Sequence, residues 1–313
     1  MVTRLGLGTA PLGGLFRAVG EADALQVVDG AWQEGLRFFD TAPLYGFGLA
    51  ERHLGRILRE KARADYTFAT KVGRLLRADA PPEPGQVFHG APALNPVFDF
   101  SYDGVMRSLE ESLERLAIGR VDILHIHDPD DHYDEALSGA YRALDELRQQ
   151  GVIGAVGAGM NQAEMLTRFA KEADFDCFLL AGRYTLLDQV ALKELLPTCL
   201  ERGVAIIAGG VFNSGILADP RPGAHYNYQA APQELIDRAQ KLRAVCERHG
   251  VPLRAAAIQF PLGHPAVQTV VVGARSLEEI RDSVRMFEVE IPSALWEELK
   301  SEQLLAEHTP TPG

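Results

Sequence analysis

The 313-residue sequence has few cysteines, no long apolar run and a shortage of positive charge. Its three cysteines, Cys177, Cys199 and Cys246, are widely spaced and form no CxxC pair. This argues against a disulfide framework and a thiolate zinc site and favours a reducing cytosol. No apolar segment approaches the ~20 residues that cross a bilayer, and the N-terminal segment has no signal-peptide core. We therefore expect a cytoplasmic protein that does not span a membrane.

Basic residues are also scarce, since 31 lysines and arginines face 43 aspartates and glutamates, for a net charge of -12. Such a charge repels phosphate groups, so we do not expect nucleic acid as a partner. Glycine-rich nucleotide loops are absent from the first strand–helix junction, where GLGTAPLGG contains neither GxGxxG nor a Walker pattern. This argues against a doubly wound nucleotide-binding sheet. With 46% hydrophobic residues the chain can bury a large core, as one big domain or two medium ones.

Short apolar strands alternate with amphipathic helices along the chain. The predicted strands are Arg4–Gly8, Leu36–Asp40, Tyr66–Lys71, Val121–His127, Val152–Gly157, Cys177–Ala181, Val204–Ala208 and Thr269–Gly273. The predicted helices are Glu21–Glu34, Leu49–Lys61, Ser101–Leu116, Asp134–Gln150, Gln162–Lys171, Asp188–Arg202, Gln233–His249 and Ser276–Phe287. Eight strand–helix units predict an α/β fold, a (β/α)8 TIM barrel in a single domain over residues 1–313.

Residues at the predicted helix ends support these boundaries. We expect Asp23 to cap the first helix and Ser276 to form a capping box with Glu279 at the last. Glycines, which favour the left-handed conformation, follow four predicted helices, at Gly35, Gly151, Gly203 and Gly250.

Two segments are too long for ordinary barrel connections. Residues 74–100 and 209–231 are rich in proline and glycine and follow the third and seventh predicted strands. Because βα loops lie at the C-terminal mouth of such a barrel, we expect both to form walls of a substrate pocket. A further helix is predicted over Ala294–Leu305, after the barrel.

Four polar side chains stand at or just after the ends of predicted strands two, three and four. Asp40 ends LRFFD with Tyr45 five residues later, Lys71 ends YTFATK, and His127 ends VDILHIH. We expect Asp40 to keep Lys71 charged, and Lys71 to lower the pKa of Tyr45. His127 can then donate a hydrogen bond to a substrate oxygen. None of the four donates hydride, so redox chemistry would require a bound nicotinamide.

The segments FDTAPLYG, ATK and VDILHIHDP resemble the three signature regions of the aldo-keto reductases, and the resemblance covers nearly the whole chain. It implies a metal-independent oxidoreductase with NAD or NADP, a (β/α)8 barrel, and Asp40, Tyr45, Lys71 and His127 as its catalytic tetrad. Tyr45 would be the acid in reduction and, as phenolate, the base in oxidation. Tyr45 and His127 would also contact the substrate.

Metal binding is the alternative for one histidine-rich segment. Residues 125–132 include the ligand types His125, His127, His132, Asp128, Asp130 and Asp131. Because His125 and His127 alternate with apolar residues on one strand, and the resemblance already gives His127 a role, we expect no metal site.

The resemblance also implies a set of cofactor-binding residues. They are Gly8, Thr9, Asp40, Asn161, Arg183, Gly209, Gly210, Asn213, Gly215, Gly273, Arg275, Ser276 and Glu279. This chain departs from the family where Gly159, Met160 and Asn161 replace the usual Ser-Asn pair, and where Gly209 replaces an aromatic that stacks on the nicotinamide.

The residues at the N-terminus of the helix that begins at Ser276 predict NAD rather than NADP as the cofactor. Its N-terminus can receive a phosphate, with Gly273, Ala274 and Arg275 forming the approach. Glu278 and Glu279 in its first turn would repel the 2′-phosphate of NADP, although Arg275 keeps NADP as the alternative. The same acids could simply complement the helix dipole.

The segments GMNQ, LLAGRYTLLDQ, GGVFNSGIL, FDFSYDGVMRSLEESLERL and HDPDD resemble a branch of the family that oxidises hemiacetals to lactones. It implies a small-molecule substrate, with an aldose such as L-fucose, D-arabinose or L-galactose as first choice and pyridoxal as the alternative. Candidate substrate residues from the long loops are Phe88, Phe98, Phe212, Asn95, Asp99, Asn213, His225 and Tyr226. We expect a monomer or homodimer. A cofactor-bound regulatory subunit of a membrane channel is the rival class, which the intact tetrad disfavours.

Overall fold

Eight parallel strands close into a barrel in the computed structural model, which describes residues 2–82 and 85–313. The strands are β1 (Leu5–Gly8), β2 (Phe38–Asp40), β3 (Thr67–Val72), β4 (Ile123–His127), β5 (Ala155–Met160), β6 (Cys177–Ala181), β7 (Ala205–Gly209) and β8 (Val267–Gly273). They are hydrogen-bonded in chain order, and β8 pairs with β1 to complete the ring. The predicted (β/α)8 barrel is confirmed.

Helices surround the barrel and cover its apolar strands. They are Glu21–Gln33, Leu49–Leu58, Tyr102–Leu116, Tyr133–Glu135, Arg142–Gln149, Glu164–Glu172, Leu195–Arg202, Gln233–Arg248, Leu253–Gln259, Leu277–Glu288 and Ser293–Ser301. A π-helical segment, Ala136–Tyr141, joins the fourth and fifth of these. The main hydrophobic core lies between strands and helices, and a smaller one, with Phe38, Leu179, Ile207 and Val271, fills the barrel interior.

Two helical predictions need correction, and one helix was not predicted. The helix predicted over Asp188–Arg202 is a short 3-10 turn, Val190–Leu192, followed by Leu195–Arg202. The helix Leu253–Gln259 was not predicted, because its run of small and apolar buried residues, Ala255 to Ile258, shows no amphipathic stripe. The C-terminal helix, Ser293–Ser301, ends four residues earlier than predicted.

The helix ends confirm most of the predicted capping. Asp23 is the exception, since Gly20 occupies the N-cap of the first helix and Asp23 lies within its first turn. The hydroxyl of Ser276 accepts the Glu279 N–H at 3.2 Å, while the Glu279 carboxylate accepts the Arg275 N–H at 2.7 Å. Positive φ angles are found at all four predicted glycines, Gly35, Gly151, Gly203 and Gly250.

Strand β5 begins three residues later than predicted and ends at Met160, which brings Asn161 directly to the barrel mouth. Its glycines face side chains inside the barrel. A Cβ atom on Gly157 would lie closer than 3.0 Å to Nδ1 of His125, and one on Gly159 would lie 3.3 Å from Cε of Lys71. Because both strand positions lack a side chain, the barrel can enclose a histidine and a lysine.

We expect Gly157→Ala to destabilise the protein by about 1–3 kcal/mol, because the added methyl group overlaps His125 and the carbonyl of Cys177. The free energy of unfolding in urea measures this. Gly119→Ala is the matched control, since a Cβ atom there would meet nothing within 4 Å. Equal stability of the two variants would contradict the prediction.

Both long insertions contain hairpins that were not predicted. In the first, Arg74–Arg77 pairs antiparallel with Asn95–Phe98. In the second, His225–Tyr226 pairs with Gln229–Ala230. Their richness in proline and glycine obscured these short strands.

The three cysteines are buried and free. Over residues 2–82 and 85–313, every helix is too short or too polar to cross a membrane.

Candidate active site

The ends of β2, β3 and β4 bring together the four residues predicted as catalytic. Lys71 Nζ donates to both carboxylate oxygens of Asp40 and to the carbonyl oxygen of Thr41, each at 2.8 Å. The Lys71 side chain is only 1% exposed. Its Nζ lies 4.8 Å from the centroid of the Tyr45 ring, which meets the ring of His127 edge-on at 5.8 Å. A buried ion pair therefore lies against a phenol and an imidazole.

The pKa of Tyr45 is raised well above 10.0, so the predicted lowering by Lys71 is wrong for the protein alone. Burial is the largest cause, because it disfavours the charged phenolate. The negative charges of Asp40 and Asp128 raise the pKa further, and the nearby Arg74 opposes them. Since the Lys71 ammonium is bound by Asp40, the carboxylate offsets its field at the phenol.

We expect Tyr45 to stay a neutral phenol up to at least pH 10.0, because the sign of its pKa shift is upward. The ultraviolet absorbance of tyrosinate, titrated in wild type and in Tyr45→Phe, measures this. Below pH 10.0 the two titrations should coincide. A tyrosinate signal near neutral pH that only the wild type shows would contradict the prediction.

The two histidines of β4, His125 and His127, both have lowered pKa values and are uncharged at neutral pH. Burial is the largest cause of a pKa of His127 well below its usual value, and the charges of Arg74 and Lys71 lower it further. His125 lies deeper in the barrel, where burial and the charge of Lys71 lower its pKa to about 3. Within the described part of the chain, neither ring nitrogen of His125 has a hydrogen-bond partner. His127 can thus offer one N–H to a substrate oxygen.

A cavity of about 710 Å³ opens beside Tyr45 at the C-terminal mouth. Twelve of the thirteen predicted cofactor residues line it, namely Gly8, Thr9, Asp40, Asn161, Gly209, Gly210, Asn213, Gly215, Gly273, Arg275, Ser276 and Glu279. Arg183 is the exception, and its guanidinium donates instead to the Gly182 carbonyl at 3.2 Å and to the Asn227 side chain at 2.9 Å. We therefore remove Arg183 from the direct cofactor contacts.

The sequence model described as "Aldo/keto reductase family" matches residues 4–302. This chain belongs to the aldo-keto reductase family. It is 46% identical to a pyridoxal 4-dehydrogenase of Microbacterium luteolum, over 97% of this chain and 95% of that protein. It is 43% identical to a D-threo-aldose 1-dehydrogenase of a Pseudomonas species, over 99% and 96%. The solved holo form of an aldo-keto reductase from Bacillus halodurans superimposes with a TM-score of 0.76 at 25% identity, covering 98% of this chain and 95% of that one.

The cavity of this aldo-keto reductase fits the nicotinamide dinucleotide that the family uses. Two buried polar atoms that face it, Oγ1 of Thr9 and Oδ1 of Asn213, have no hydrogen-bond partner among the described residues. The N-terminus of the helix Leu277–Glu288 borders the same cavity and suits a phosphate. Glycines without side chains at positions 209, 210 and 215 let a ligand approach the backbone.

Phe88, predicted as a substrate residue, packs close to the phenol but lies outside the cavity lining. Its ring is 6.2 Å from that of Tyr45 and 6.2 Å from that of Phe47, and its side chain is buried. Backbone pairing of Phe88 with Leu15 ties the first insertion to the loop after β1. Phe88 therefore packs against the phenol ring and the loop after β1.

Asp99 does not reach the cavity of the aldo-keto reductase. Its carboxylate accepts the hydroxyl of Ser101 at 2.5 Å and pairs with Arg107 at 2.7 Å, at the start of the helix Tyr102–Leu116. We therefore withdraw Asp99 as a substrate residue. Phe98 lies outside the cavity lining with 45% of its surface exposed, and it stacks 4.6 Å from the guanidinium carbon of Arg74.

Several residues around the mouth of the aldo-keto reductase were missed. Phe16 and Tyr228 line the cavity with their ring centroids 6.0 Å apart, although they come from different loops. Both have positive φ angles. No periodic pattern in their loops could have placed them. The charges of Arg74 and Asp128 also act on the phenol. The acidic HDPDD segment contains Asp128, but no motif singled out Arg74.

Among residues 2–82 and 85–313, no cluster of three or more His, Cys, Asp or Glu side chains is arranged to hold a metal ion. The side chains of residues 125–132, the segment considered for metal binding, instead have separate partners. His132 pairs with Glu135 at 2.9 Å, and Asp130 accepts a hydrogen bond from Gln162 at 2.5 Å.

Proposed function

We propose that this aldo-keto reductase oxidises the C1 hemiacetal of an aldose, of the L-fucose or D-threo type, to a lactone with NAD. The observation that carries the proposal is the buried cluster of Asp40, Lys71, Tyr45 and His127, which borders a cavity suited to a dinucleotide. The similarity to a D-threo-aldose 1-dehydrogenase supports an aldose.

The proposed roles follow from the site's chemistry. A nicotinamide held by the residues that line the cavity, Thr9 and Asn213 among them, would supply the hydride acceptor, and the positive charge of its oxidised ring would favour the phenolate. Tyr45 first releases its own proton to solvent. As phenolate it then takes the proton of the C1 hydroxyl, and the C1–O bond becomes a carbonyl. The N–H of His127 donates to the C1 oxygen. Asp40 holds the ammonium of Lys71 against the Tyr45 ring. In the reverse direction, the neutral Tyr45 returns the proton to the substrate oxygen.

We predict a kcat/KM for NAD at least about tenfold above that for NADP, which corresponds to ~1.4 kcal/mol. Glu278, Glu279 and Asp282 line the end of the cavity nearest the helix N-terminus and repel an added phosphate. Arg275 is engaged there with the Leu15 carbonyl at 3.2 Å. Steady-state kinetics with both cofactors measures the ratio, and Glu278→Gln should narrow it. A kcat/KM for NADP about tenfold above that for NAD would overturn the choice of NAD as cofactor.

Pyridoxal is the second candidate substrate. The rings of Phe16, Tyr45 and Tyr228 line the cavity and would suit an aromatic substrate, and the similarity to a pyridoxal 4-dehydrogenase supports it.

A screen in the oxidative direction with L-fucose, D-arabinose, L-galactose and pyridoxal separates the two candidates by the absorbance of NADH. Turnover of at least one aldose is the expected result. Oxidation of pyridoxal without any aldose would move the assignment to pyridoxal.

We further propose a single domain over residues 1–313 that works in the cytoplasm as a monomer or homodimer, without nucleic acid or membrane partners. The rival class, a cofactor-bound regulatory subunit, predicts co-purification with a membrane partner and negligible turnover in the same screen.

A further inference from the structure

An arginine and an aspartate form an ion pair at the mouth of the barrel, beside the reacting groups. Nη2 of Arg74 lies 3.4 Å from Oδ2 of Asp128, and the same oxygen lies 3.5 Å from Nε2 of His127. The Arg74 side chain is 9% exposed and the Asp128 side chain 21% exposed. The carboxylate of Asp128 is thus more accessible to solvent than the guanidinium of Arg74.

Both members are held by their surroundings. The guanidinium carbon of Arg74 lies 4.6 Å from the centroid of the Phe98 ring, a cation–π distance. Asp128 has a φ of 42°, which is costly for a residue with a Cβ atom, and its N–H donates to the carbonyl of Gly159 at 3.0 Å. The chain therefore keeps the Asp128 carboxylate beside His127 in spite of backbone strain.

The charges of the pair also shift the pKa of Tyr45. Beyond the dominant effect of burial, Asp128 raises the pKa of Tyr45 and Arg74 lowers it. Arg74 likewise lowers the pKa of His127, for which burial is again the largest cause. The 3.5 Å between Oδ2 of Asp128 and Nε2 of His127 places the pair next to a group that would hold the reacting oxygen.

We propose that the Arg74–Asp128 pair determines specificity by binding two neighbouring hydroxyl groups of an aldose, next to the carbon that is oxidised. A carboxylate accepts hydrogen bonds and a guanidinium donates them, which matches two adjacent hydroxyl groups. Pyridoxal has no pair of neighbouring aliphatic hydroxyl groups. This inference rests on the proposed function and adds the part of the substrate that the four-residue cluster does not reach.

The test compares the aldose with the highest kcat/KM and its 2-deoxy analogue, in wild type, Asp128→Asn and Arg74→Lys. Asparagine keeps the shape of the side chain and tolerates a positive φ, while lysine keeps the charge and loses the planar fork. Asp131→Asn is the matched control, because it removes an equal charge from the same segment on an exposed residue that is not part of the pair.

We expect each pair variant to lower kcat/KM for the aldose by about 10- to 100-fold, the usual effect of a lost hydrogen bond to a charged group. The loss for the 2-deoxy analogue should be clearly smaller, and the dissociation constant of NADH should not change. Asp131→Asn should match wild type on both sugars.

Equal losses on both sugars, or no loss on either, would overturn the inference while leaving the proposed function in place. Wild type that oxidises no aldose would overturn the proposed function, and this inference with it. Thermal unfolding of each variant shows whether it is folded, and Arg74→Lys gives an independent result where Asp128→Asn does not fold.

Discussion

Tyr45→Phe should lower kcat/KM for aldose oxidation by about 10²- to 10⁴-fold, the range that general acid–base catalysis supplies. The substitution removes only the hydroxyl, and the ring retains its contacts with Phe88 and His127. We therefore expect the fold and the binding of NADH to be preserved, as measured by the unfolding midpoint and by nucleotide fluorescence.

Tyr141→Phe is the matched control for this substitution. Its hydroxyl bonds to Asp174 on the outside of the barrel, at 3.4 Å from the carbonyl oxygen. Steady-state kinetics on the same aldose should show wild-type turnover for this control. Wild-type turnover by Tyr45→Phe itself would remove the phenol from the reaction.

Lys71→Met should destabilise the protein by about 3–5 kcal/mol at neutral pH, because it leaves the carboxylate of Asp40 buried without its cation. Activity should fall to the background rate. The double variant Asp40→Leu with Lys71→Met should recover most of the stability, since no buried charge is left, but none of the activity. Urea unfolding and steady-state kinetics on the three proteins separate the two effects.

The sign of the pH dependence follows from Asp40. Burial raises its pKa above 3.8, against the opposing effect of Lys71, and losing the lysine raises it further. A carboxyl with a raised pKa in the folded state favours folding at low pH, and this contribution is lost as the pH rises through the folded-state pKa. The stability deficit of Lys71→Met relative to wild type should therefore shrink as the pH falls. A deficit that is constant with pH, or a double variant that regains turnover, would contradict this account.

The barrel and its four polar residues were predictable because they depend on local patterns. Apolar strands that end in Asp40, Lys71 and His127 meet at one mouth in any (β/α)8 barrel. The direction of the Tyr45 pKa was not predictable, since it depends on burial and on Asp128 from a distant segment. The prediction from the sequence considered the charge of Lys71 and did not include the effect of the carboxylates of Asp40 and Asp128 on the phenol.

The substrate side of the mouth was harder to predict, because it is built by insertions. Asp99 has the right chemistry for a sugar but binds Ser101 and Arg107 beside a helix N-terminus, whereas the charge of Arg74, in the same insertion, acts on the phenol. Nothing in the linear sequence distinguishes a loop carboxylate that binds its neighbours from one that faces a ligand.

The inner face of β5 couples positions that are far apart in the chain. Gly157 is small because His125 fills the space in front of it, and Gly159 is small because Lys71 passes beside it. During evolutionary drift, a larger side chain at position 157 requires both a smaller side chain at position 125 and a shift of the Cys177 carbonyl. The lysine cannot shrink without loss of the ion pair, so position 159 has less freedom to diverge than its place on an ordinary strand suggests.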